Sequence, residues 1–474
     1  VRLGGWTRRI GVTAGVLAVL GSVLASPEVS AAEAEPGQPV LPHVVVGKAG
    51  PLGAWQAERA VRQAGGTVVA AYPRIGVVVA YSARDDFAAT VRKSRGVTEV
   101  GATRTTKLPL DYFKPRRDLR YTGPGSPTSA QVPPEGTAWD VPALGLDEAH
   151  RETTGSRHVV VGVLDTGVDD THPDLRHAVD TRKSVSCVSG WADRSPGGWR
   201  PTLDGHGTHV AGTIAAARNG SGVVGVAPGV RLAAVKLAER DDTETAESMI
   251  CGFMWAAEHN FRITNNSYRA TPWRYHCPGQ VDQSAIRTAV GRAVAHAQSR
   301  GVLVVASGGN GALDLHNRTV DTESPADGTP ARREISNDCI RLPHELPGVL
   351  GAGAVDEKLV KARFSNHGIG PIGLAAPGVR VWSTVPNGEY AAYSGTSMAA
   401  PHVSGVAALL ASRHPFWRGD RLAAELQDRA NPLPCPEFYD PNGDGKPDAT
   451  CVTGAGRNSF YGTGLTHAGA ALTR

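Results

Sequence analysis

The sequence predicts an α/β fold, a three-layer domain with a mostly parallel central sheet and helices on both faces, preceded by a small α+β unit. Three observations carry this reading. Wholly apolar runs of strand length recur at Val159–Leu164, Leu232–Val235 and Val302–Ala306. Helical stretches such as Met249–His259, Ser284–Ala297 and Ala399–Ala411 lie among and after them. Strands apolar at every position are buried on both faces, as parallel strands covered by helices are. Ahead of Thr103, shorter β-rich runs alternate with two helical patterns in a different order.

At the N-terminus, Arg2, Arg8 and Arg9 precede an uncharged apolar stretch, Ile10–Ala25, and small residues follow at Val29-Ser30-Ala31-Ala32. A basic region, an apolar core and a small-x-small site describe a secretory signal peptide ending near Ala31, so the protein is expected to be secreted. An uncleaved membrane anchor is the rival reading, although the stretch is short for a span. Arg8-Arg9 also allows a twin-arginine export signal.

Residues 32–106 form the next segment. His43–Val46, Thr67–Ala71, Ile75–Tyr81 and Val97–Val100 read as strands, and Ala54–Gln63 and Asp85–Lys93 as helices. Ser82 with Asp85 three residues on has the pattern of a capping box. The order β-α-β-β-α-β is a ferredoxin-like arrangement. Residues 107–137 are rich in Pro, Gly, Arg and Ser without an apolar period, and read as an exposed linker open to cleavage. The large domain then occupies residues 138–474.

Composition fits a globular protein, with 41% hydrophobic and 20% charged residues among 474. A formal charge of +4 without clustered Lys/Arg gives no footprint for nucleic acid or for a membrane surface. Six cysteines, all beyond residue 186, favour disulfides in an exported chain and lack the C-x-x-C spacing of a zinc site. Many pairings are open. Cys435 with Cys451 is the local choice, and Cys277 with Cys339 a second.

Sites in parallel sheets lie at the carboxyl ends of strands. Asp165 directly follows one apolar run, in Asp165-Thr166-Gly167; an acid there is costly unless paired, yet Asp-x-Gly turns are common. His206 stands between Gly205 and Gly207, which admit close approach of other backbone, and could equally be a plain loop histidine. His209 three residues on has no acidic partner for a metal pair and reads as structural. Ser397, in Gly395-Thr396-Ser397-Met398, begins a helix whose unpaired N–H groups favour negative charge, though a serine there is commonly an N-cap. Asn310 ends another strand in Ser307-Gly308-Gly309-Asn310-Gly311; its amide is a donor that never changes protonation, or a simple turn residue.

Together these motifs resemble the subtilisin-like serine peptidases. They are Asp165-Thr166-Gly167, His206-Gly207-Thr208-His209 and Gly395-Thr396-Ser397-Met398-Ala399-Ala400-Pro401-His402. The order Asp, His, Ser is the family's, and the octapeptide is highly specific. The resemblance covers Trp139 to the end, with Ser459–Leu465 similar to the family's closing strand. It implies a subtilisin-like fold, with residues 32–106 similar by pattern and position to the family's inhibitory propeptide. It implies peptide-bond hydrolysis by a triad, Asp165, His206 and Ser397, with Asn310 and the Ser397 N–H holding the oxyanion and no cofactor in the chemistry. Substrate is expected as an extended strand against Asn266, Ser267 and Tyr268, with Ser307 and Gly308 nearby. Tyr268-Arg269 departs from the family's usual Leu-Gly. Asp241–Glu244 departs too, as an acidic stretch that would favour basic side chains in substrates.

Structural calcium is the expected metal. Asp440, Asn442 and Asp444 place oxygen side chains at alternate positions with Gly445 after the third, and Asp448 follows, similar to the first half of an EF-hand loop. A second site is implied by the resemblance alone, with Asp174 and Asn219 as side-chain ligands and Ala217, Ser221 and Val223 as backbone donors. The whole is expected to be a monomeric preproenzyme acting on proteins or peptides and inhibited by its own propeptide. Rival readings are a dedicated processing peptidase, an exopeptidase, or a non-catalytic binding relative.

Overall fold

The computed structural model describes residues 38–113, 121, 132–240 and 243–473. The apolar stretch Ile10–Ala25 therefore lies outside the described residues. The first unit runs β1 (Pro39–Gly47), α1 (Pro51–Gln63), β2 (Thr67–Tyr72), β3 (Val77–Ser82), α2 (Phe87–Arg92) and β4 (Val97–Ala102). Its sheet has the order β2-β3-β1-β4, with neighbouring strands antiparallel throughout. Val45, Val78 and Val100 meet Val61 of α1 and Phe87 and Val91 of α2 to form its core. The cap expected at Ser82 does not form. Asp86 holds the N-cap position and Ser82 Oγ accepts the Arg84 N–H at 3.2 Å. The helix starts late because the Asp85 and Asp86 side chains turn outward to Lys107 and Arg84. The beginning of the expected linker is ordered: β5 (Leu108–Pro109) pairs with β1, and Phe113 is buried against Tyr81.

After α3 (Asp140–Ala143) and α4 (Leu146–Glu152), the chain alternates through β6 (Val160–Asp165), β7 (Val185–Ser186), α5 (His206–Ala215), β8 (Arg231–Lys236), α6 (Ala246–Glu258), β9 (Ile263–Asn266), α7 (Val281–Ser299) and β10 (Leu303–Ser307). A hairpin of β11 (Val320–Asp321) and β12 (Arg333–Glu334) precedes β13 (Leu350–Val355) and β14 (Leu374–Pro377). The hairpin β15 (Val381–Val385) and β16 (Glu389–Tyr393) leads to α8 (Thr396–Arg413) and α9 (Gly419–Asp428). A last hairpin, β17 (Thr453–Gly454) and β18 (Arg457–Asn458), and α10 (Ala468–Thr473) complete the described chain.

The large sheet has the order β14-β13-β10-β9-β6-β8-β7, and all its pairs are parallel. Strand β6 explains why an unbroken apolar run was needed. Val161 and Val163 enter the core shared with α5 and α8, while Val160 and Leu164 enter the core beneath α6 and α7. Each such side chain contributes about 1.5–3 kcal/mol by leaving water. The chain passes to β7 and β8 on one side of β6 and then to β9 on the other. That reversal opens a crevice at the strands' carboxyl ends, where ligands of such sheets bind.

Val44, Val46, Ile75 and Val77 of the first unit join the core beneath α6 and α7, so this unit is docked on that helical layer. Polar contacts fix its register. Glu99 accepts hydroxyl bonds from Ser284 and Thr288, both at 2.9 Å, and Arg292 donates to the carbonyls of Gly47 and Ile75.

The cysteines pair as Cys187–Cys251, Cys277–Cys339 and Cys435–Cys451, which includes both pairings expected from sequence. Ser459–Leu465 forms no long closing strand. It is a turn bridged to β14, with Ala375 N–H donating to Gly464 O, because Asn458 caps it through the Phe460 and Tyr461 N–H groups. Among the described residues, no helix is long and apolar enough to cross a membrane.

Candidate active site

Asp165 ends β6 with no solvent exposure. Its Oδ1 accepts the Thr166 N–H and the His206 Nδ1–H, each at 2.8 Å, so the buried acid is paired as its cost requires. Its other oxygen has no protein partner among the described residues. His206 is the first residue of α5, and its backbone N–H donates to Asp204 Oδ1 at 2.8 Å. Glycine at 207 is demanded by packing. A Cβ there would lie 2.4 Å from Gly167 O and 3.0 Å from Asp165 Oδ1. His209 is buried within α5, where Nε2 donates to the Val381 and Ala391 carbonyls and the ring stacks on Tyr393. Burial holds its imidazole down at about 3, which suits the structural role read from sequence.

Ser397 lies in the first turn of α8, beside N–H groups that have no intrahelical acceptor. Its hydroxyl donates to Ser267 O at 3.0 Å, and the Ser267 hydroxyl donates back to Ser397 O at 2.9 Å. Pro401 explains the second bond. Proline has no N–H for the carbonyl four residues earlier, so Ser397 O is released and Ser267 takes it. Asn310 follows β10, and its Oδ1 accepts both the N–H and the hydroxyl of Thr396 at 2.8 Å. With its oxygen thus committed, the amide nitrogen faces the cleft as a donor.

Ser397 and Asn310 line one cleft of about 280 Å³, with Ser267, Tyr268, Ser307, Gly309 and Gly311. Asn266 and Gly308 are not part of its lining. Asn266 is fully buried, donating to Thr264 and Val305 and accepting the Tyr268 hydroxyl, so it supports the wall instead of forming it. Gly308 has its N–H on Ala352 O and its carbonyl under Asn366. Arg269, Arg274, Glu323 and Arg341 complete the lining. Only Arg269 stands out in the sequence, as the departure beside Tyr268. The other three come from two irregular segments with no local motif, Arg274 between β9 and α7, and Glu323 and Arg341 between β10 and β13. Asp241 and Asp242 lie outside the described residues. Glu244 is wholly buried, so it is no solvated acidic loop offered to substrates.

This geometry has known counterparts. Residues 156–464 match the model of the subtilase family. The chain belongs to the subtilase family. This subtilase is 36% identical to Subtilisin E of Bacillus subtilis over 288 residues, 60% of its own length and 64% of that relative's. It is 33% identical to Subtilisin Savinase of Lederbergia lenta over 333 residues, which cover 97% of that relative. Among solved structures, fervidolysin from Fervidobacterium pennivorans, a keratinolytic enzyme related to subtilisin, superposes with a TM-score of 0.62 at 24% identity. The match covers 94% of this chain and 62% of that one. The epidermin leader peptide processing protease of Staphylococcus aureus superposes with a TM-score of 0.69 at 20% identity, covering 91% and 99%. Both similarities show the fold.

The subtilase's two expected calcium loops differ in character. Asp174 and Asn219 are brought together, but Asn219 turns its amide nitrogen to Asp174 at 2.8 Å, and Tyr390 donates to the other Asp174 oxygen. The N–H groups of Asn219, Gly220 and Ser221 point at Glu135. As arranged, that loop presents donors, which fits a cation poorly. In the exposed loop at Asp440, the carboxylate accepts the N–H groups of Gly443, Asp444 and Gly445, and Asn442 donates to Asp448. These hard oxygens at alternate positions suit calcium by type. Among the described residues, no three His, Cys, Asp or Glu are grouped to hold a metal.

Proposed function

We propose that this subtilase is a secreted serine endopeptidase, made as a zymogen and acting on proteins or peptides. The observation that carries the reading is the buried Asp165–His206 pair, bonded at 2.8 Å where β6 ends, together with a cleft that has both Ser397 and Asn310 in its wall. In this reading His206 takes the proton of Ser397 as its oxygen attacks the scissile carbonyl, and Asp165 fixes the tautomer and steadies the imidazolium. The Ser397 hydroxyl exchanges its bond with Ser267 O for His206 when substrate arrives. Asn310 Nδ2 and the Ser397 N–H receive the oxyanion. Collapse of the tetrahedral intermediate expels the amine, protonated by His206, and water then releases the acyl group by the same route. Substrate runs as an extended strand past Ser267 and Tyr268, with Ser307 and Gly309 also in the cleft wall.

Residues 32–106 act as a propeptide that templates the domain and inhibits it until cleavage within 107–137. The docking on α6 and α7 through Glu99 and Arg292 supports this. Asp440, Asn442, Asp444 and Asp448 would hold a calcium ion that stiffened their loop, and the three disulfides suit life outside the cell. Fluorophosphonate labelling tests the whole: wild type should label and digest casein, and Ser397→Ala should do neither. N-terminal sequencing of the secreted form should find a start between residues 107 and 138. An unlabelled wild type would remove the peptidase reading.

A further inference from the structure

The cleft beside Ser397 is lined by three guanidinium groups, Arg269, Arg274 and Arg341, facing one carboxylate, Glu323. Glu323 pairs with Arg274 through one oxygen and with Arg269 through the other, the latter at 3.5 Å. No such pairing reaches Arg341. The residue is 5% exposed, and its Nη1 has no hydrogen-bond partner among the described residues. Glu345, an acid whose charge acts on it, is already engaged by Arg318 and by the Arg341 backbone N–H. The guanidinium lies against Gly309, the residue before Asn310: a Cβ at 309 would sit 2.4 Å from Nη1. Glycine is required there for that approach, and by its φ of +95°.

A buried cation without a partner is costly, and a carboxylate at fork distance is its best complement. Burial pulls the Arg341 group down to about 10, still charged at neutral pH. Ser397 itself lines this cleft, so a substrate side chain next to the scissile bond is close enough to enter it while Ser397 attacks.

We infer that this cleft selects substrates with an acidic side chain, glutamate or aspartate, immediately before the cut bond, with Arg341 as the specificity-determining residue. The inference rests on the peptidase reading and adds the substrate class. Glu323 sets the selectivity: it neutralises Arg269 and Arg274, leaving Arg341 to the ligand.

The test uses the purified, processed enzyme, active-site titrated with a fluorophosphonate, and fluorogenic peptides differing only before the scissile bond: Glu, Gln, Phe and Lys. Glu should exceed its isostere Gln by about tenfold or more in kcat/KM, with Lys poorest. Arg341→Leu should collapse the Glu-to-Gln ratio toward one, and Glu323→Gln should raise it. Full titration with Phe or Lys preferred over Glu overturns the specificity and leaves the peptidase reading intact. Absence of titration overturns that reading itself. Should Arg341→Leu fail to fold, the wild-type Glu-to-Gln ratio and the Glu323→Gln shift still decide, since a ratio of one sinks the proposal.

Discussion

Ser267 and Ser397 are bonded to each other twice, each hydroxyl on the other's carbonyl, at 3.0 and 2.9 Å. The end of β9 and the start of α8 are thereby joined at the proposed nucleophile. Pro401 creates the vacancy that Ser267 fills. Ser267→Ala therefore strands a buried carbonyl, with an expected loss of about 1–3 kcal/mol in urea unfolding. Pro401→Ala restores an N–H to that carbonyl, so the double variant should recover part of the loss. A strictly additive cycle would refute the link.

Asp165→Asn keeps the shape of the pair but reverses its donor sense. In triads of this type that change lowers kcat by about 10⁴, and steady-state kinetics should show it here with the fold intact by circular dichroism. Retention of more than a tenth of wild-type kcat would disconnect the buried pair from the chemistry.

Asn310→Ala should lower kcat by about 10²–10³, the loss found for one oxyanion donor in a subtilisin, with little change in KM. Because Asn310 Oδ1 also holds Thr396, a small fall in melting temperature should accompany it. A rise in KM at constant kcat would make Asn310 a binding residue instead.

Stability should fall in acid. His209 titrates at about 3 in the fold and near 6.5 when unfolded, with burial the main cause. Between those values the unfolded chain binds a proton that the native one refuses. Its contribution is therefore complete above pH 6.5 and is lost as pH falls toward 3. His276 and His344 shift in the same direction. Unfolding free energy measured across that window should slope less in His209→Gln than in wild type; an unchanged slope would exclude His209 as a contributor.

Reduction of the Cys435–Cys451 loop, or Cys435→Ser with Cys451→Ser, should cost about 3 kcal/mol by the chain-entropy argument. EDTA should lower the melting temperature of the wild type, and less so that of Asp440→Ala with Asp444→Ala. Equal sensitivity in both proteins would place the calcium elsewhere.

Three strands of the seven-stranded sheet, β6, β8 and β10, were legible because buried parallel strands must be apolar on both faces, and these are. The candidate triad stood out through short motifs, since Gly207 beside His206 and Gly405 in the helix of Ser397 are imposed by close packing. The late start of α2 is not readable from the Ser82–Asp85 spacing, because Asp85 turns to Lys107, which folding brings to it, and Asp86 to its neighbour Arg84.

Sequence alone determined the layered fold, the family and the residues able to carry acyl transfer, because these depend on periodicity and on contiguous motifs. Tertiary structure alone decided that Asn266 faces inward, that Ser267 completes α8, and that Arg341 stands unpaired beside Gly309. The physical reason is reach. Hydrogen bonds and charge pairing act over a few ångströms in space, and residues brought that close by folding can lie far apart in the chain.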